Sequence, residues 1–256
     1  MSVDPIRHLE VFDPYAFGER RVDVIGAGAL GSKVVLSLAK LGITNIHVWD
    51  FDKVEEHNIA NQAFGIKDIG KPKVKALQEL VKRDTGTVIN IHEERVDGKQ
   101  PLGEIVICLP DSMEARKAIW MGAAKFKPSV KVWIEARMGT DNGRIYAIDP
   151  LDLGQINQYE KTFYGDDEAE VSACGATISV GPTADIMCGM VVWQVIRFWG
   201  FQTGKAGGDA KESEIVIGFR PCMFLTRDLG VLVVPKAAVD APVAARKTAA
   251  KKRKIA

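Results

Sequence analysis

VIGAGALGSKVVLSLAKLGITNIHVWDFDKVEEHNIANQAFGIKDIGKPK, residues Val24 to Lys73, carries most of what this chain discloses about its architecture. Gly26, Gly28 and Gly31 stand in G-x-G-x-x-G spacing between an apolar run, Val22 to Ile25, and a helical pattern, Leu30 to Leu41. Such a layout asks for a tight turn at Gly26, close approach of backbone to phosphate at Gly28 and close helix-on-strand packing at Gly31, with helix amides and the helix dipole facing an anion. Asp50 ends a second apolar run, Ile46 to Trp49, at the distance where an acid that binds a ribose belongs. By itself the glycine motif specifies only a nucleotide.

The residues after Asp50 separate the nucleotide classes. A dehydrogenase usually moves on to another plain crossover, whereas this chain continues D-F-D-x-V-E-x-x-N-x-x-x-Q and then D-I-G-K-P-K. The string resembles the ubiquitin-activating-enzyme-like adenylyltransferases, the ThiF/MoeB/HesA family. The resemblance covers about residues 20 to 200 and is strongest in the first half. It implies that Asp50 holds the ribose of ATP and that Asn58 and Lys73 meet its phosphates. Asn61 stands where the family carries an Arg, which removes a bidentate charge from the phosphates.

Short β-rich runs alternate with helical patterns through the first half, which argues an α/β fold with a Rossmann-like, doubly wound and mostly parallel sheet. The patterns predict strands over Val22 to Ile25, Ile46 to Trp49, Val88 to His92 and Ile105 to Leu109, and helices over Leu30 to Leu41, Pro72 to Arg83 and Met113 to Phe126. From Val130 onward, KVWIEARM, a turn at Asp141-Asn142-Gly143 and RIYAI read as antiparallel strands that continue the sheet. The polar stretch Tyr159 to Ser172 reads as a mobile loop. A long apolar helix comes next over Val180 to Trp199, with Met190, Trp193 and Trp199 on its core face, and EIVIGF with VLVV supplies closing strands. Residues 1–235 are expected to form one domain whose nucleotide-binding half lies at about 20–128, and 236–256 a disordered basic tail. The ligand belongs outside the carboxyl ends of the strands, where Gly26, Asp50 and Asp111 fall.

The remaining candidates stand on single residues. Asp111, just past a buried strand and before a helix, matches the family's magnesium-binding Asp, although L-P-D-S replaces the usual C-T-D-N; Asp at such a junction serves equally as a helix N-cap. Asp52 reads as a loop-capping acid, and Gln62 is left open between backbone and nucleotide. Cys174, in E-V-S-A-C-G-A-T, sits where thiol-using family members carry a nucleophile, and equally suits buried filler. Arg7 is the counterpart of an amino-terminal Arg that reaches the partner's ATP in family dimers, or else a plain surface Arg. Cys108, Cys188 and Cys222 lie in apolar patterns, and without a C-x-x-C pair the chain lacks the four-cysteine zinc site of many family members. The four histidines, His8, His47, His57 and His92, show no triad or metal spacing.

Composition sets the outer bounds. No apolar run nears the roughly 18 residues that span a bilayer, and the amino terminus lacks a signal-peptide layout, so a cytoplasmic protein without membrane contact is expected. The formal charge of +1 conceals an asymmetry: residues 236–256 hold seven Lys or Arg against one Asp, a net +6, which leaves the preceding body at −5. That tail is either a solubilising appendage or a contact for nucleic acid or an acidic partner. The resemblance implies adenylation of the C-terminal carboxylate of a ubiquitin-like or sulfur-carrier protein or peptide, with ATP and Mg2+ as cofactors, in a homodimer. The other classes are a noncatalytic scaffold that binds nucleotide or partner, which Asn61 favours, and an NAD-dependent oxidoreductase, which leaves D-I-G-K-P-K unexplained.

Overall fold

A computed structural model describes residues 3–139, 143–165, 180–203, 224–225 and 231–232. Cys174, Cys222, the turn residues Asp141 and Asn142, the run EIVIGF, the later part of the polar stretch and the basic tail lie outside the described residues. A six-stranded sheet has the order β3-β2-β1-β4-β5-β6, from Asn90–His92, Ile46–Trp49, Val22–Ile25, Ile105–Cys108, Val132–Met138 and Gly143–Ile148. Its first five strands are parallel; β6 runs antiparallel to β5, with Trp133 opposite Ile148 and Met138 opposite Gly143. The chain leaves β1 toward β2 and later returns to β1's other side as β4, so the switch in winding falls between β1 and β4.

Strand β1 and strand β4 are buried at every residue, which is why they read as continuous apolar runs rather than alternating ones. On one face, Val22, Val24, Ile46, Val48, Ile105 and Ile107 pack under helices α2 (Gly31–Lys40), α3 (Lys73–Thr85) and α6 (Gly181–Thr203). On the other, Ile25, Trp49, Val106, Cys108 and Trp133 pack under α4 (Met113–Ile119), the π turn Trp120–Ala124 and α5 (Leu153–Glu160). A one-turn helix, α1 (Pro14–Phe17), capped by the Asp13 side chain, brings Phe17 into the first core. Two short strands, β7 (Phe224–Leu225) and β8 (Val231–Leu232), pair antiparallel.

Several elements depart from expectation. Strand β3 starts at Asn90 instead of Val88, because Gly86 ends α3 with φ +76 and Val88 turns out to solvent. The helix after Asp111 leaves α geometry at Trp120 and stops at Ala124, before Phe126 adopts φ +58. Trp193 is 52% exposed, whereas Met190 and Trp199 are buried as expected. It lines a groove with Arg7, Val11 and Leu41 instead of the sheet contact.

The described start of the polar stretch is no loose loop. Tyr159 is fully buried in α5, edge-on to Trp120. Glu160 accepts from Trp120 Nε1 at 2.8 Å and Lys125 Nζ at 2.6 Å, while Arg137 and Lys117 donate to the carbonyls of Thr162 and Tyr164. Local polarity suggests solvent; hydrogen-bond partners from distant segments reverse that.

Helix α2 meets β1 through one glycine. A Cβ on Gly31 would stand 1.8 Å from the Gly26 carbonyl oxygen, a backbone atom that cannot swing away. Gly31→Ala should therefore lower unfolding free energy on the order of 3 kcal/mol, as overpacking against backbone does. Urea denaturation followed by tryptophan fluorescence checks this, and an unchanged midpoint contradicts it.

Candidate functional site

The site begins at the turn between β1 and α2. Gly26 has φ +95, and its Cβ would lie 2.9 Å from the Leu109 carbonyl oxygen, so only glycine allows the turn and the β4 loop to meet. Gly28 differs from both neighbours in the motif: nothing lies within 4 Å of the position its Cβ would take. The helix behind it starts at Gly31 with no side chain capping its first amides. Space is therefore open over Gly28 at the N-terminus of α2, the end of a helix that receives an anion.

Asp50 closes the turn from the end of β2. Its Oδ2 accepts from Ala27 N at 2.7 Å and its Oδ1 from Asp52 N at 2.8 Å. Burial pushes its carboxyl above the usual aspartate range; the nearby Lys73 charge and the two backbone donors oppose the rise without cancelling it. Asp52 departs from its expected role as a loop cap. Its Oδ2 accepts from Lys73 Nζ at 2.9 Å, and its own carbonyl accepts from Lys73 N at 2.9 Å. Residues 52–54 and 70–73 are further stitched by Val54 N to Lys71 O and Gly70 N to Val54 O, both 2.8 Å. The D-x-D and G-x-P-K strings, about twenty residues apart in sequence, therefore form one ledge beside the glycine turn.

The segment between them packs on the start of α2. Asn58 is buried, and its Oδ1 accepts from Glu55 N at 2.9 Å in a capping box, so its carbonyl serves local backbone. Ala63 N donates to Ser32 Oγ at 3.0 Å, and Gln62 Oε1 is buried without a hydrogen-bond partner among the described residues. The first turn of α6 joins the same corner: Lys33 Nζ pairs with Asp185 Oδ1 at 2.5 Å, and a Cβ on Gly181 would meet the Ala60 carbonyl at 3.3 Å.

Across the switch point, Asp111 lies exposed in the loop after β4. It does not cap α4: Ser112 does, its Oγ accepting from Ala115 N at 3.1 Å. Arg7 is placed elsewhere. It is exposed near Ser37 and Leu41, at the end of α2 remote from Gly31, a helix of 10 residues away. Cys108 and Cys188 are buried and burial pushes both thiols up, Cys188 to about 11, which leaves neither a nucleophile near neutral pH. Among the described residues no group of three His, Cys, Asp or Glu could hold a metal ion.

Two polar groups are assembled between elements, one across β2 and β3 and the other between β5 and the helices over it. His47 Nδ1 and His92 Nε2 lie 3.0 Å apart, with the His92 ring stacked on Trp49; burial lowers the pKa of both imidazoles. On the other flank, Glu135 is fully buried between Arg116 and Arg137. Register alone could have flagged the second: Glu and Arg at alternate positions of an otherwise apolar strand, Trp133-Ile134-Glu135-Ala136-Arg137, must face one covered side.

The architecture and the match to known families agree. In solved structures the chain resembles Escherichia coli MccB, in a complex titled with AMPCPP and MccA, with TM-score 0.62 at 14% identity over 88% of this chain and 66% of that one. It also resembles PaaA, with TM-score 0.54 at 21% identity over 70% of this chain and 55% of that one. In sequence, the NEDD8-activating enzyme E1 catalytic subunit of Arabidopsis thaliana is 39% identical over 106 residues, 39% of this chain and 23% of that protein. The adenylyltransferase/sulfurtransferase MoeZ of Mycobacterium tuberculosis, a probable assignment by its own name, is 33% identical over 97 residues, 35% of this chain and 25% of that protein. The chain thus spans about a quarter of the length of these sequence relatives. The ThiF family model matches residues 15–215, which takes in the sheet, the glycine turn, the ledge and the Asp111 loop, and the chain belongs to the ThiF family.

Proposed function

We propose that this chain is an ATP-dependent adenylyltransferase that activates the C-terminal carboxylate of a ubiquitin-like or sulfur-carrier protein or peptide, as one unit over residues 1–235. The observation that carries the reading is the convergence of an open glycine turn, Asp50, the Lys73–Asp52 pair and Asp111 on one carboxyl edge of the sheet. A nucleotide fits it. Open space over Gly28 takes a phosphate, and Asp50 at the end of β2 is the acceptor within reach of a ribose.

The chemistry asks for positioning and charge neutralisation more than covalent participation. An oxygen of the carrier's carboxylate attacks the α-phosphorus of ATP, the bond from that phosphorus to the bridging oxygen breaks, and pyrophosphate leaves with the electron pair; the product is an acyl-adenylate. No proton has to move. Lys73 offers a charge in a low-dielectric setting: its side chain is 9% exposed, and the bond to Asp52 uses one of three ammonium hydrogens. Asp111 is the residue that would hold Mg2+, with phosphate oxygens as further ligands, because a hard cation is content with one or two carboxylates plus phosphates. Bound there, the cation would neutralise charge on the leaving pyrophosphate.

A noncatalytic nucleotide-binding scaffold is the second reading, and two observations favour it: Asn61 replaces a cation, and Lys73 is already paired. Calorimetry with Mg-ATP and with NAD, then pyrophosphate exchange in the presence of peptides ending in Gly-Gly, separates the readings. The expected result is Mg-ATP binding without NAD competition, and exchange that Lys73→Ala and Asp111→Ala each suppress while leaving the unfolding midpoint in place. Binding without exchange for any carrier supports the scaffold, and NAD binding alone rejects both.

Two glycine-turn variants sharpen the test. Gly28→Ala meets no protein atom, so its stability should match the parent while nucleotide affinity falls. Asp50→Ala should lose both, since it strands two backbone N–H groups at a cost of about 1–3 kcal/mol in unfolding free energy. A Gly28→Ala protein that binds Mg-ATP normally would remove the phosphate from this turn.

The same reading includes a homodimer. Val11 and Trp193, 51% and 52% exposed, line a groove of about 340 Å³ with Arg7, an apolar face that a second copy would cover. Light scattering should give twice the mass of 28.0 kDa, unchanged by deleting residues 236–256 and halved by Trp193→Glu. A monomer at all working concentrations rejects the dimer, and with it any role for Arg7 at a partner's site.

A further inference from the structure

Arg116 is an expensive residue to place where it is. Only 6% exposed on α4, its guanidinium NH1 donates to Glu135 Oε1 and to the Ala136 carbonyl, both at 2.9 Å, and NH2 donates to the carbonyl of Pro110. Glu135 does not need it. The carboxylate, 0% exposed, already receives Arg137 Nε at 2.5 Å and Arg137 NH2 at 3.3 Å, together with the hydroxyl of Tyr159. That phenol in turn accepts from Trp133 Nε1 at 3.0 Å. Burial pushes Glu135 up, but the charges of Arg137 and Arg116 outweigh it and hold the carboxyl below the usual range. One guanidinium and one carboxylate would close this centre electrically. A second brings a surplus positive charge into the interior, and desolvating it costs several kcal/mol that an apolar side chain of similar volume would avoid.

The surplus is spent on main chain. Pro110 is the residue before Asp111 on the loop between β4 and α4; on the other side of Asp111, Ser112 is held by the first turn of α4, its Oγ accepting from Ala115 N and its carbonyl from Arg116 N. By joining the Pro110 carbonyl to Ala136 and Glu135, Arg116 ties the loop to strand β5, on the β4 side of the switch point. We propose that Arg116 is a positioning residue: anchored on the buried Glu135, it holds the Pro110 carbonyl and so fixes the Asp111 carboxylate for the cation that accompanies the nucleotide. Arg137 and Tyr159 are the anchor of this clamp and not its arm, since neither touches the loop. The magnesium part of this proposal rests on the adenylation reading; the clamp itself does not.

Two variants of the full chain test it. Arg116→Lys keeps a cation near Glu135 but cannot reach three acceptors at once, and Tyr159→Phe removes a donor from Glu135 while leaving the Pro110 contact alone. Hydrogen exchange detected by mass spectrometry reads the loop without nucleotide. Peptides covering residues 109–112 should exchange about tenfold faster in Arg116→Lys, the size expected for one lost charge-assisted hydrogen bond, with β4 unaffected. Under saturating ATP the Mg2+ concentration for half-maximal pyrophosphate exchange should rise by a similar factor, while binding of a fluorescent ATP analogue in EDTA stays within about twofold. Tyr159→Phe should lower the unfolding midpoint and leave the Mg2+ requirement in place. The clamp is overturned if Arg116→Lys loses stability with unchanged loop exchange and Mg2+ dependence, or if Tyr159→Phe shifts the Mg2+ requirement equally. Should the parent protein catalyse no exchange, adenylation fails and the loop's hydrogen exchange alone still decides for or against the clamp.

Discussion

The Asp50 carboxylate is the joint on which the site depends. One oxygen holds the amide of Ala27 inside the glycine turn, and the other holds the amide of Asp52 at the start of the ledge. Neither amide has a place in the sheet ladder, and both would be stranded without a side-chain acceptor. The bond to Ala27 also explains why Gly26 can take φ +95 so close to the Leu109 carbonyl: the turn is pulled from β2 and blocked from β4. A group held this way is buried enough that its own ionisation is resisted. It therefore gains from any further donor, and a sugar hydroxyl is one.

From that joint the two halves of the site obey different rules. On the β2 side the ledge is built mainly of backbone: residues 52–54 and 70–73 lie about twenty residues apart and meet through main-chain bonds and the Asp52–Lys73 pair. On the β4 side the loop is held at Leu109 N by the Ile25 carbonyl and at Ser112 by the first turn of α4, and Arg116 adds a tie from Pro110 to a buried carboxylate on the next strand. The asymmetry reflects the topology. Residues after β2 can fold back on the entry to α3, whereas the loop after β4 leads directly into a helix and is steadied from β1, from that helix's first turn and from β5.

Legibility in the sequence tracks how local each feature is. The glycine turn, the parallel strands and the β5–β6 pair are readable because each is encoded by spacing within a few residues or by unbroken apolar runs. Spacing puts Asp50 and the Gly triplet on one edge, and Lys73 joins them through the family resemblance of the G-K-P-K string and not through spacing. The roles of Asp52 and the capping of α4 are not legible, because at a strand-to-helix junction a carboxylate and a hydroxyl are equally good caps and only coordinates show that Ser112 has the geometry. The Glu135 centre and the His47–His92 pair are not fully legible for a different reason. His47 and His92 lie 45 residues apart and meet only because β2 and β3 are neighbours, and Arg116 reaches Glu135 from α4 across 19 residues, whereas Arg137, two residues from Glu135, can be read from the alternation of the strand. Tyr159 shows the reverse case, a polar-looking neighbourhood whose hydrogen bonds are answered from elsewhere in the chain.

The charge balance of the described site bears on why a family Arg can be absent at position 61. Each lysine near the turn is already matched, Lys33 by Asp185 and Lys73 by Asp52, while Asp50 and Asp111 remain as acids. A triphosphate brought into this setting without a counterion would meet at least as much negative charge as positive, and the donors left to receive it are backbone amides and the spare hydrogens of Lys73. Family members with the Arg can place part of the phosphate charge on a guanidinium. On the adenylation reading proposed above, that share would arrive with the nucleotide as a divalent cation, and Asp111 is the carboxylate that would accept it. Loss of a fixed cation would then move affinity from the protein to the metal-nucleotide complex. That shift would give the geometry of the Asp111 loop more weight in this chain than it would carry beside an Arg.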